Sequence, residues 1–191
     1  METAKIDCKN IYYPPGGILM WLIIIVELFT FGIALIVLAI GSKDNPAQFQ
    51  ESSAHLNATY GAVNTIFLLT SGFFMATSVH QFKLKNIKKS KFYLKLTMLG
   101  GVLFLGLKIV EYIDKIEHGF TLGYDTFFNF YWLLTGFHVI HVLVGLIILL
   151  LMHKSLNKPE ANLVDVEASA AFWHMCDLIW LLLFPVLYLV F

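Results

Sequence analysis

Hydrophobic and polar positions in this chain are sorted into blocks, not alternated residue by residue. Five apolar blocks occupy about 18–40, 60–80, 94–113, 127–152 and 171–191, separated by polar stretches. Each is long enough to cross a hydrocarbon core of about 30 Å at about 1.5 Å of rise per residue. The fourth, FFNFYWLLTGFHVIHVLVGLIILLL, carries no ionisable side chain except His138 and His141. The pattern predicts an all-α polytopic membrane protein, a single domain over 1–191 built as a bundle of five transmembrane helices.

The polar stretches refine this picture. Before the first block, YYPPGG stops any helix from running in. That block has neither a basic leader nor a small-residue cleavage site, so it is expected to be a retained helix. Gly41 to Thr59 is expected to be a polar loop, and Asp114 to Thr126 a short acidic one. Lys83, Lys85, Lys88, Lys89, Lys91 and Lys95 fall between Gln81 and Lys95 with no acid among them. No linker, repeat or low-complexity tract interrupts the blocks.

Composition agrees, and it excludes several functions. Of 191 residues 58% are hydrophobic and 14% charged, against about 25% charged in a typical soluble domain. Zero net charge gives no ground for nucleic acid or an acidic substrate as partner. All thirteen basic residues are lysines, and without arginine's planar fork a nucleotide site is not expected. Five crossings put Lys5, Lys9, the six lysines above, Lys154 and Lys158 on one side, opposite Lys43 and Lys115. The positive-inside rule then predicts a cytoplasmic amino terminus. Cys8 and Cys176 lack C-x-x-C spacing and are read as free thiols.

Candidate chemistry lies in the polar residues within the spans. Glu27 is read either as a protonated acid bonded to a neighbouring helix or as a proton-handling carboxylate. His138 and His141 share a helical face; ring hydrogen bonds between helices are the simpler reading, and haem or metal ligation the alternative. Spaced three apart, they cannot be opposed axial ligands of one haem. Lys108 and Glu111 are expected to pair or to reach the outer interface. His174 and Asp177, placed near the cytoplasmic end of the fifth span, repeat that spacing, and Trp173 and Trp180 read as interfacial anchors. No serine triad, phosphate loop or zinc-protease motif is present. Neither catalytic nor metal-binding residues are assigned, and no intrinsic catalysis is expected.

Several of these landmarks, in order, resemble subunit III of the haem-copper respiratory oxidases. They are LNATYGAVNTIFLLTSGFFMATSVHQ, GVLFLGLKIVEYI, TGFHVIHVLVGLIIL and AAFWHMCDLIWLLLFPVLYLV, with GFH-x-x-H ahead of WH-x-x-D-x-x-W. The chain looks like the short five-helix branch, and FYWLLTGFHVIHVLVG and LFPVLYL are most similar to members associated with nitric oxide reductase. In this resemblance Glu27, Glu111, His138 and His141 correspond to the family's buried polar, proton-handling positions. Tyr112, His174, Asp177 and Trp180 correspond to its helix-packing motifs. It implies an accessory subunit in a bacterial cytoplasmic membrane, with no cofactor of its own beyond bound phospholipid. The catalytic oxidase or reductase subunit and membrane lipids would be its partners, and it would support assembly, stability and proton uptake. A small b-type cytochrome or redox enzyme with its own haem or metal is the alternative.

Overall fold

A computed structural model describes residues 14–156 and 162–190. Cys8, Lys5, Lys9 and Lys158, used in the reading of thiols and orientation, lie outside the described residues. Six helices and no strand occur among the described residues: α1 Ile18–Asp44, α2 Pro46–Ala54, α3 Ala58–Lys83, α4 Ile87–Glu117, α5 Thr126–Ser155 and α6 Leu163–Tyr188. All except α2 are long and apolar enough to cross a membrane, which makes this an integral membrane protein.

The helices outlast the apolar blocks at almost every end. Leaving the hydrocarbon removes no reason to stay helical, and lysine stems can lie along the helix while their ammonium groups reach the headgroups. The lysine stretch is therefore mostly helix, with Leu84–Asn86 as its turn, and the acidic loop loses its first residues to α4. α6 begins at Leu163, capped by the Asn162 side chain on the Val164 N–H at 3.2 Å, well before the expected start at Ala171. α2 is a correction too, since Gly41 to Thr59 is not simply a loop. Pro46 opens this short helix, and Phe49 and Ser52 are its buried residues.

α6 is the centre of the bundle, packing against α1, α3 and α5, while α4 closes against α3 and α5. Tertiary contacts tie the two ends. At the Gly17 end, Gly16 has a positive φ of 81° and sits so close to α6 that a Cβ would collide with the Ala168 backbone. At the Tyr188 end, Ser52 of α2 donates a hydrogen bond to Asp125, whose other oxygen caps α5 through the Phe128 N–H at 2.6 Å. Small residues set the α3–α4 spacing. Ser71 Oγ donates to the Thr97 carbonyl at 2.8 Å, Ser78 Oγ to the Ser90 carbonyl at 2.8 Å, and Gly100 lies against Phe67 and Ser71.

Candidate functional site

Polar side chains inside the spans gather into three separate groups, each built from facing helices. The most enclosed surrounds Lys108 and Glu111, whose side chains are 1% and 0% exposed. One helical turn apart on α4, they meet at 3.1 Å. The Lys108 ammonium also donates to Tyr131 of α5 at 3.2 Å and to Tyr188 of α6 at 2.8 Å, using all three of its protons. Both phenol hydroxyls in turn donate a hydrogen bond to Glu111 Oε1, Tyr131 at 2.8 Å and Tyr188 at 2.5 Å. Aromatic rings complete the enclosure, with Nζ 5.1 Å from the Tyr112 ring and 5.3 Å from that of Trp180. The Tyr112 hydroxyl is engaged by Thr135 at 2.9 Å. Of the two expected fates for Lys108 and Glu111, the structure shows the pair.

The second group joins α1 to α5. His141 Nε2 lies 3.2 Å from Glu27 Oε2, and His141 Nδ1 lies 2.8 Å from the Phe137 carbonyl. That carbonyl can only accept, so Nδ1 carries a proton. Nε2 then faces the Glu27 carboxyl, and this contact joins α1 to α5. It is half-buried, with Glu27 22% and His141 11% exposed.

His138 parts company with His141. It is fully buried, stacked on Trp180 at 5.4 Å between ring centroids and held edge-on by Phe104 at 5.5 Å. Neither ring nitrogen has a hydrogen-bond partner among the described residues. It packs helices through its ring face, not through the ring hydrogen bonds expected of it. Phe31 of α1 stands edge-on to both histidines.

In the third group His174 Nδ1 is 3.4 Å from Asp177 Oδ2, and Asp177 abuts Gly72 of α3 so closely that a Cβ there would overlap its carboxylate. With α6 starting at Leu163, His174 stands about 16 Å along the helix. The pair stands three and six residues beyond Ala171, where the apolar block opens. His174 is 44% exposed, Asp177 only 9%. The tryptophans also depart from expectation: Trp173 and Trp180 are fully buried, donating to Ser71 and Thr65 at 3.0 Å each. Hydroxyls on α3 give the indole N–H groups a partner inside, so the rings need not reach the interface.

Among the described residues, no three His, Cys, Asp or Glu side chains gather as a metal-ligand set. Glu27 and His141 come together, as do His138 and Trp180, and His174 and Asp177. Glu111 joins Lys108, with Tyr112 at its edge, away from Glu27. Sequence reading passed over Tyr131 and Tyr188; a phenol within an apolar span needs a partner for its hydroxyl, and that was the available signal. Cys176 is buried and free.

Fold and groups together define a polytopic helical membrane protein whose internal polar side chains mostly close on one another across helix seams. The chain belongs to the cytochrome c oxidase subunit III family, whose model matches residues 18–190. It is 30% identical over 146 residues to a cytochrome c oxidase subunit 3 of Corynebacterium diphtheriae, covering 74% of this chain and 71% of the relative. A cytochrome c oxidase subunit 3 of Prototheca wickerhamii is 35% identical over 132 residues, which cover 66% of this chain and 48% of the relative. A quinol oxidase subunit 3 of Bacillus spizizenii is 28% identical over 131 residues, 66% of this chain and 64% of the relative. The chain thus spans about half the length of some relatives and over two thirds of others.

Proposed function

We propose that this chain is the accessory, non-redox third subunit of a respiratory haem-copper oxidase. In this role it packs beside a catalytic subunit that carries haem and copper, and it supports assembly, durability and proton supply during turnover. The family match across 18–190 carries the reading. The closed Lys108–Glu111 enclosure fits a packing role, and the Glu27–His141 pair, half-buried where α1 meets α5, fits proton handling at a surface a neighbour can reach. Its amino terminus faces the cytoplasm, as the lysine asymmetry favours, and its membrane is the bacterial cytoplasmic one. The relatives named above are oxidase subunits, so oxidase is preferred to nitric oxide reductase, whose association rests on two sequence segments.

Purification of a tagged chain in mild detergent, with an absorption spectrum and identification of co-eluting chains, tests this. A haem spectrum that follows a larger co-eluting subunit is the expected result. Haem or metal retained by the separated chain would overturn it in favour of a small cytochrome.

A further inference from the structure

Aromatic side chains that can give up one electron stand in ring contact from the Lys108 enclosure outward to the flank of the bundle. Tyr131 and Tyr188 meet at Glu111, their hydroxyls 2.8 and 2.5 Å from Oε1. Between ring centroids, Tyr131 lies 6.3 Å from Tyr112 and 5.7 Å from Trp132, and Tyr112 lies 4.6 Å from Trp132. Tyr131 and Tyr188 are buried, whereas Trp132 is half-buried, its indole N–H donating to the Phe120 carbonyl at 2.8 Å. The series therefore has a closed inner end and an outer end that a reagent can approach.

A phenol gives up an electron readily only where its proton has somewhere to go, because the oxidised, still protonated phenol is a strong acid. Glu111 is placed to take that proton: Oε1 accepts from Tyr131 and Tyr188, while Oε2 accepts from the Lys108 ammonium. Lys108 also donates to the Tyr131 oxygen at 3.2 Å, so that oxygen keeps a hydrogen bond after its own proton leaves. The Tyr112 hydroxyl donates to Thr135, a far weaker base. We propose that this series carries oxidising equivalents inward from Trp132 and holds them as a neutral phenoxyl radical on Tyr131. The oxidant is a one-electron acceptor of the peroxyl-radical class. It takes one electron from Trp132 and one proton from solvent, becoming a hydroperoxide. Tyr131 returns one electron to Trp132, directly or through Tyr112, and its O–H bond breaks as the proton passes to Glu111 Oε1. One electron delivered at Trp132 by a phenolic or quinol reductant sends that proton back and restores the starting state.

The series depends on packing within this bundle and not on the oxidase assignment, so each can fail alone. The full chain in detergent, carrying ring-deuterated tyrosine, is exposed to photogenerated tris(bipyridine)ruthenium(III), a one-electron oxidant that needs no proton. Electron paramagnetic resonance of frozen samples and light-minus-dark infrared spectra are then recorded. Wild type is expected to give a neutral tyrosyl radical narrowed by the deuterium, together with a new carboxylic acid C=O band from Glu111. Tyr131→Phe should remove the tyrosyl signal and leave an indole one. Trp132→Phe should lower the tyrosyl yield several-fold. Tyr124→Phe changes an exposed phenol outside the series and should leave the yield as it is. The proposal is overturned if the signal survives Tyr131→Phe, disappears in Tyr124→Phe, or forms at the wild-type yield in Trp132→Phe. A radical that appears with no carboxylic acid band overturns it as well.

Discussion

Glu27 and His141 meet across the seam between α1 and α5, Oε2 to Nε2 at 3.2 Å, while the Phe137 carbonyl lies 2.8 Å from the other ring nitrogen. Glu27→Gln keeps a polar group facing His141 Nε2 but removes the ionisable carboxyl. We expect normal assembly and a change in how long the partner oxidase sustains turnover, followed as oxygen consumption over many cycles. Glu27→Ala leaves the imidazole unpaired and should cost about 1–3 kcal/mol of stability. Failure of the glutamine variant to insert into the membrane would count against a proton-handling pair.

Lys108 and Glu111 predict a strongly non-additive pair. Removing one partner strands a fully buried charge, so Glu111→Ala should destabilise by about 3–5 kcal/mol. Lys108→Met with Glu111→Leu removes both charges and should cost less than the sum of the single changes. A double-mutant cycle on unfolding in detergent measures this coupling; additive effects would mean that the two do not depend on each other.

Three glycines on α4 predict opposite signs. A Cβ on Gly101 would stand 2.5 Å from the Trp173 ring, and one on Gly100 would stand 2.7 Å from Ser71 Cβ. Gly101→Ala should therefore cost about 1–3 kcal/mol through overpacking. Nothing lies within 4 Å of a Cβ on Gly106, so Gly106→Ala should be neutral or gain up to about 1 kcal/mol through helix propensity. Thermal midpoints of the two variants, measured side by side, decide it.

His174 presents an exposed polar edge within a membrane-spanning helix, where exposure to lipid is unfavourable and a neighbouring helix is the usual cover. His174→Gln keeps a donor toward Asp177 and should change bundle stability by less than about 0.5 kcal/mol. It should lower the yield of co-purifying catalytic subunit. Unchanged yields would turn this face toward the lipid instead.

The five spans were legible because about 20 successive apolar residues in water have few alternatives to membrane insertion. α2 was not, since nine mixed residues carry no comparable signal, and what makes it helical is Pro46 at its start and burial of Phe49. Spacing along one helix showed that Lys108 could reach Glu111 and His174 could reach Asp177. Pairings between helices, such as Tyr188 with Glu111 or Trp180 with Thr65, depend on rotation and depth, which one sequence does not encode locally.

The enclosure around Lys108 also sets an order for biosynthesis. A ribosome delivers α4 and α5 long before it makes Tyr188, so during insertion the lysine and its carboxylate wait with one phenol absent. Only when α6 arrives does its hydroxyl reach both Lys108 and Glu111, so the last residues of the final span complete a site begun on the third.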